Sequence, residues 1–406
     1  MRSGRVLWLI IAFALAVRIV FLLLHTAPTP ADDSVLYNEV AINLANGRGY
    51  TFRGVEFSAR EPGYILSIAL VYLIGGVRIS NVFIAQAVVG AAACGITYLI
   101  GTLLGGRKSG VIAALLLATS PSFLGYTDFV LTETFATLWT ALTILLLLKL
   151  VNKPSWILAA VTGVVIGVAV LTRANLISLL IGLPIFLRAG HLRWARAVKL
   201  GAIALAVSVL LMVPWVVRNA RVFHAFIPTR TGLGDSIWAG SYVPWDGVWR
   251  GYVPPLTDLK NGLTELEADR KLLHETALNI KRNPGGVAVV WAKKPFRIWA
   301  LSDASLYHQS PFEYRDWRIV TILLQHLMWA GSLLLAGYAF LKNRKRPEIL
   351  VVVAVLLLST LSLLPSTPVR RYAVPLSPAV YALAGVGAAT VAKQLRRSSD
   401  KNRQSG

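Results

Sequence analysis

Long apolar runs recur along this chain, and they constrain its fold more than any other feature. Runs long enough to cross a bilayer as a helix, about 17 to 25 residues, lie near 6–24, 80–104, 132–150, 197–217, 319–341, 349–364 and 373–392. Less even runs at 110–124, 156–171 and 175–187 bring the expected number of spans to about ten. Hydrophobic residues make up 55% of the 406 and charged residues 15%, with a mean hydropathy of +0.61. No soluble core of this length would bury so much apolar surface. The expected fold class is therefore an all-α polytopic membrane protein, with interfacial helices in its first external loop and a small external region containing α-helix.

The formal charge of +22 would suggest nucleic acid in a soluble protein. Here the basic residues stand in short segments between apolar runs, where anionic lipid headgroups are the natural partners, and no nucleic-acid partner is expected. The single cysteine, Cys94, lies inside an apolar run, so neither a disulfide framework nor a thiolate metal site is expected. The six histidines show no ligand spacing of the HExxH kind. No dinucleotide loop, Walker A or kinase set is present. No cofactor is implied; dependence on a divalent metal is left open.

Short cytoplasmic loops carry the Lys/Arg excess, which fixes topology. If GYILSIALVYLIGG at 63–76 lies in the interface rather than crossing, then MRSGR, GGRKSG, NKPS, RAGHLRWARAVK, KNRKRPE and KQLRRSSDKNR all fall inside. Letting it cross would export nearly all of them. Both termini are then cytoplasmic, in a chain integral to the cytoplasmic membrane. With no small-residue cleavage site before the acidic pair, the first run is expected to remain as a span. The expected division is 1–217, an N-terminal transmembrane module with its first external loop at 25–79; 218–318, an external region; and 319–406, the C-terminal helices and basic tail. LTELEADRKLLHETALNIKRNP within the external region reads as a helix ending at Asn-Pro.

The external loops concentrate ionisable residues. After Asp32, Asp33 and Ser34, apolar residues recur at Leu36, Val40, Ala41 and Leu44 and stop at Gly47, the pattern of an amphipathic helix in which Asp33 and Tyr37 share a face. One of the acids can be an N-cap; two adjacent acids exceed that need. Asp128 and Glu133 stand at the outer end of a span, where helix-dipole compensation competes with a functional role. Arg173, Arg218, Arg370 with Arg371, and Lys293 with Lys294 lie at the same outer level. Any one could be a snorkelling side chain. Basic residues at three separate outer helix ends suit a phosphate, which arginine grips bidentately. Acids beside cations at the outer interface suggest a reaction on a lipid phosphate, with a carboxylate accepting the proton of an acceptor hydroxyl.

The order of short motifs resembles a known family. Asp33-x-x-x-Tyr37, then AINLANGRGY at 41–50 and REPGY at 60–64, is similar to the first periplasmic loop of the C-type membrane glycosyltransferases, which include protein O-mannosyltransferases and the aminoarabinose transferase of lipid A. TETF at 132–135, LTR at 171–173, PWVVRN at 214–219, PTRTGLG at 228–234 and RRYAVPLSP at 370–378 follow in the same order. The resemblance covers most of the chain. It implies inverting transfer of a hexose or pentose from a polyprenyl-phosphate donor to a lipid, glycan or protein acceptor, on the external face. It also implies Asp33, with Glu133 as the second acid, for catalysis. Substrate-binding positions are expected at Asp32, Tyr37, Arg60, Glu61, Asp128, Arg173, Arg218, Asn219, Lys294, Arg371 and Tyr372. Where some members carry a lysine before a proline pair, this chain has Arg60 and Glu61 before a single Pro62. A transporter of a lipid-linked or anionic substrate, or a glycan polymerase or ligase, is the alternative.

Overall fold

A computed structural model describes residues 2–25, 33–299, 318–368 and 370–404. Asp32 lies outside the described residues. Most of the described residues are helical. α1 (Arg2–Leu24) leads to α2 (Asp33–Ala45), a two-stranded ribbon of β1 (Thr51–Phe52) and β2 (Val55–Glu56), and α3 (Pro62–Gly75). There follow α4 (Ile79–Gly105), α5 (Arg107–Ala118), the short α6 (Pro121–Gly125), α7 (Glu133–Asn152), α8 (Trp156–Thr172), α9 (Ile177–Ile181), α10 (Leu183–Ala189) and α11 (Trp194–Phe223). The 224–299 stretch holds α12 (Leu233–Ser241), α13 (Leu256–Lys260), α14 (Glu265–Arg282) and α15 (Pro284–Trp299). α16 (Arg318–Asn343), α17 (Pro347–Ser362), a 3₁₀ turn at Arg370–Leu376 and α18 (Ser377–Gln404) complete the fold.

Among the described residues, six stretches are long and apolar enough to cross a membrane: Gly4–Leu24, Ile79–Gly105, Glu133–Asn152, Trp194–Phe223, Val320–Asn343 and Arg370–Asp400. Three shorter apolar helices are α3, α8 and α17. The expected ten spans are reached only if short and interrupted helices also cross. The 110–124 run breaks at Thr119–Ser120, before Pro121. The 175–187 run divides into a 3₁₀ turn, α9 and α10, with Pro184 at the start of the last. An apolar run shows where chain is buried but not whether one helix continues through it. α3 is one uninterrupted helix of 14 residues, short for a crossing.

Close backbone approaches fix the bundle. A Cβ on Gly163 of α8 would meet Ala204 Cα of α11 at 2.9 Å, and one on Gly63 of α3 would meet the backbone of Leu171 at 2.8 Å. Small residues at crossings are how helices pack where lipid supplies no hydrophobic drive. α1 docks on α4 through a charged side chain. Arg18 is fully buried, its Nη1 donates to Ala14 O at 3.0 Å, and its guanidinium lies 4.8 Å from the Phe123 ring centre. A Cβ on Gly90 of α4 would come within 3.2 Å of Arg18 Cδ. Arg18 Nε and Nη2 have no hydrogen-bond partner among the described residues.

The 224–299 stretch has its own small core of Trp238, Ala239, Trp245, Leu256 and Leu272. The expected helix there is α14. Thr264 caps it, with Glu267 completing a capping box.

Candidate active site

Asp33 opens α2, whose buried face carries Ser34, Tyr37, Val40 and Ala41. Gly47, at φ +73°, provides the left-handed residue that ends this segment. Tyr37 packs edge-on against Tyr64 of α3 at 5.3 Å, and Tyr64 packs against Phe135 of α7 at 5.4 Å, so the two acid-bearing helices meet through one aromatic stack. The expected common face of Asp33 and Tyr37 thus has two uses: the tyrosine is core and the acid faces charge.

That charge is an alternating chain drawn from four parts of the sequence. Arg60 Nη2 donates to Asp33 Oδ1 at 2.6 Å, and Arg371 Nη2 to Asp33 Oδ2 at 3.3 Å. Arg371 Nε lies 2.7 Å from Glu133 Oε1, an ion-pair distance without the angle of a hydrogen bond. Arg173 Nη1 closes the chain at 2.7 Å from the same oxygen and also donates to Thr132 Oγ1 at 3.1 Å. The Arg173 guanidinium lies 4.7 Å over the Tyr372 ring. Among the described residues, three arginines against two carboxylates leave one positive charge in excess.

Burial grades along the chain. The Glu133 side chain is 0% exposed and Arg173 9%, whereas Arg371 is 18%, Arg60 25% and Asp33 29% exposed. One end is sealed and the other opens to solvent. Burial pushes the Asp33 carboxyl up, but the guanidinium charges of Arg60 and Arg371 outweigh it and hold it at about 2.

Three further acids and amides brace this centre. Glu61 Oε1 accepts from Ala174 N at 2.7 Å and pairs with Arg230 Nε at 3.2 Å, tying the first loop to the turn after Arg173 and to the 228–234 motif. Asp128 Oδ2 pairs with His25 Nδ1 at 2.6 Å at the end of α1. Burial pushes the Asp128 carboxyl up, against the pull of His25. Gln86 of α4 is fully buried; its amide donates to Thr127 O at 3.0 Å and Phe129 O at 2.8 Å and accepts from Tyr64 O–H at 2.9 Å. It fixes the loop leading to Thr132 and Glu133. Sequence reasoning did not single out Gln86, although a lone amide in the apolar stretch FIAQAVVG was a usable signal. Nor did it single out Thr132 or Arg230, which stand inside motifs it quoted.

Other expected positions lie apart from the charge chain. Arg218 donates to Phe57 O at 2.8 Å and Tyr50 O at 3.2 Å, pairs with Glu56, and is surrounded by the rings of Tyr50, Trp215 and Phe223. It holds the β1–β2 ribbon. Asn219 donates to Ile227 O at 3.0 Å and accepts from Arg218. Lys294 is fully buried and donates to Gly240 O and Leu364 O at 2.6 Å and to Ser366 O at 2.7 Å. Burial, then the neighbouring Arg297, pushes its ammonium down to about 7, against three carbonyls that call for the protonated form. Among the described residues, no group of three or more His, Cys, Asp or Glu is placed to hold a metal.

Comparison with known proteins finds a family match over part of the chain and a similar fold over most of it. Residues 60–217 match the family described as dolichyl-phosphate-mannose-protein mannosyltransferase, a stretch that contains Arg60, Glu61, Glu133 and Arg173. The fold is similar to that of the archaeal oligosaccharyltransferase AglB from Archaeoglobus fulgidus, in complex with an inhibitory peptide and a dolichol-phosphate. The TM-score is 0.61 at 16% identity, covering 98% of this chain and 52% of that one. The apo form of the Archaeoglobus fulgidus oligosaccharyltransferase gives 0.56 at 14% identity, over 98% and 52%. ArnT from Cupriavidus metallidurans bound to undecaprenyl phosphate gives 0.47 at 17% identity, over 95% and 78%. This chain spans about half the length of the oligosaccharyltransferase chains. No curated protein matches it. The motifs that carry the resemblance at 60–64, 132–135, 171–173 and 214–217 fall within the 60–217 family match.

Proposed function

We propose that the protein is a membrane glycosyltransferase that moves a sugar from a polyprenyl-phosphate donor to an acceptor hydroxyl on the external face of the cytoplasmic membrane. The observation that carries this reading is Asp33, a part-exposed carboxylate set among arginines in a cluster with one surplus positive charge. The surplus suits a donor phosphodiester, which bears one negative charge, and the carboxylate suits an acceptor's proton.

In the proposed reaction the acceptor oxygen forms a bond to the sugar's C1 as the bond from C1 to the phosphate oxygen breaks. The electron pair leaves on the phosphate, whose growing charge is met by Arg371 and Arg60. The acceptor's proton passes to the Asp33 carboxylate. Attack opposite the leaving phosphate inverts the anomeric centre. Glu133, sealed and paired with Arg173, holds Arg371 in place. The transferred group is a hexose or pentose, and the acceptor a lipid, glycan or protein. Support comes from the site geometry together with the 60–217 family match.

The test is incubation of membranes containing the protein with a panel of labelled polyprenyl-phosphate sugars, beside Asp33→Asn membranes. Transfer by the native chain that fails in the variant supports the reading. Native membranes that transfer no sugar from any donor overturn it.

A further inference from the structure

Arg371 is the least constrained guanidinium in the site. Its one hydrogen bond among the described residues is the 3.3 Å contact from Nη2 to Asp33 Oδ2. Arg60, by contrast, holds Asp33 at 2.6 Å and Ala59 O at 2.7 Å. Arg173 is fixed by Glu133, Thr132 and the face of Tyr372. The Nε of Arg371 stays beside Glu133 at 2.7 Å, so its Nη2 end can turn away from Asp33 without the guanidinium leaving its other acid. Glu133 would in any case keep Arg173, which avoids the heavy cost of an unpaired buried charge.

As it stands, the site is closed on itself: each oxygen of Asp33 is occupied by an arginine. Such a carboxylate is a poor base, and the arginine that should meet a phosphate is already spent on an internal anion. We propose that the donor's phosphate and Asp33 compete for the Nη2 end of Arg371, so that binding a lipid phosphate releases Asp33 Oδ2 and turns it into a base at that moment. Arg60 remains on Oδ1 and keeps the carboxylate aimed. The base is then switched on only when a leaving phosphate is seated, and an unladen site does not deprotonate passing hydroxyls. This inference rests on the glycosyltransferase reading and adds to it an exchange between two anions at one arginine.

Undecaprenyl phosphate is a suitable probe, with undecaprenol as its uncharged control, in calorimetric titrations of the full chain in nanodiscs. Asp33→Asn removes the competing charge while keeping the side chain's size, so it should bind undecaprenyl phosphate roughly ten- to a hundred-fold more tightly than the native chain, the worth of one charge-assisted hydrogen bond. Asp33→Ser, which lacks the carboxylate in a smaller side chain, should tighten binding too. In an Arg371→Gln background Asp33→Asn should no longer tighten it, and undecaprenol should not distinguish the variants. Unchanged or weaker binding by both Asp33 variants, each expressed and monodisperse like the native chain, overturns the exchange. So does tightening that persists without Arg371. A native chain that binds undecaprenyl phosphate no better than undecaprenol overturns the exchange together with the glycosyltransferase reading, whereas binding without tightening overturns the exchange alone.

Discussion

Asp33 and Glu133, one hundred residues apart in the chain, share a single arginine: Arg371 reaches Asp33 Oδ2 at 3.3 Å through Nη2 and Glu133 Oε1 at 2.7 Å through Nε. The two acids therefore cannot be treated as independent. One is part-exposed and one sealed, so substitution should affect them differently.

At Asp33 the expected effect is on turnover. Asp33→Asn keeps size and removes the charge that accepts a proton, a contribution of typically 10²–10⁴-fold. Sugar transfer should fall by that range while expression and detergent-solubilised monodispersity stay near native. Wild-type turnover in this variant would remove Asp33 from the chemistry and leave Glu133 as the remaining acid of the cluster.

The depressed carboxyl of Asp33 also has a pH signature. Its folded value of about 2 lies below its ordinary 3.8, so the stability gained from its arginine pairs is fully present above the ordinary value and is lost as pH falls through about 2. The difference in melting temperature between the native chain and Asp33→Asn should be constant from pH 7 to about 4 and should close below that. A difference that closes between pH 6 and 5 would show the pairing to be weaker than the geometry implies.

At the sealed end the expected effect is on folding. Arg173→Ala leaves the fully buried Glu133 with Arg371 alone, and breaking a buried pair by removing one partner costs about 3–5 kcal/mol. Arg173→Lys restores a charge but not the planar stacking on Tyr372, and should recover only part. Denaturant titration of the purified variants measures both. Native stability in Arg173→Ala would contradict the assignment of this pair as a structural anchor.

Arg218 and Arg371 should separate cleanly. Arg371→Ala should weaken undecaprenyl phosphate binding roughly ten- to a hundred-fold, the loss of a charge-assisted bond of about 1.5–3 kcal/mol. Arg218→Ala should instead loosen the β1–β2 ribbon, seen as faster proteolysis at 50–57, and Glu56→Gln should reproduce part of that effect. Loss of lipid-phosphate binding in Glu56→Gln as well as Arg218→Ala would show that the ribbon itself shapes the donor site.

Sidedness can be read with exposed positions. In a Cys94→Ala background, Lys108→Cys and Asn261→Cys both lie on exposed loops or helix ends. An impermeant thiol reagent added to intact cells should label Asn261→Cys and spare Lys108→Cys. The reverse pattern would invert the topology taken from the basic loops.

Much of this was legible in the residues, because apolar runs and basic loops register directly in composition. The helix starting at Asp33 and ending before Gly47 follows from local periodicity and one left-handed glycine. Partner choice among the ionisable residues is not local. Arg218 and Arg371 look alike in sequence, each beside an apolar helix, yet one is taken up by Glu56 and an aromatic cage and the other lies in the charge chain. Lys294, expected from sequence among the substrate-binding cations, donates to three carbonyls that no local pattern links to it. The runs at 110–124 and 175–187 are broken rather than continuous helix, because interruptions at Ser120–Pro121 and Pro184 do little to hydropathy and much to backbone continuity.

The Arg18–Gly90 contact gives α1 two separable duties. Its hydropathy suffices for insertion, which any apolar stretch of that length would achieve. Its place in the bundle is set by close approaches to α4 at two glycines, the Arg18 guanidinium over Gly90 and the side chains of Leu7 and Ile11 over Gly95. Exchanging α1 for an unrelated span of equal hydropathy would therefore yield a chain that inserts but does not assemble. Gly90→Ala would press on the same guanidinium from the opposite side, through a single methyl group.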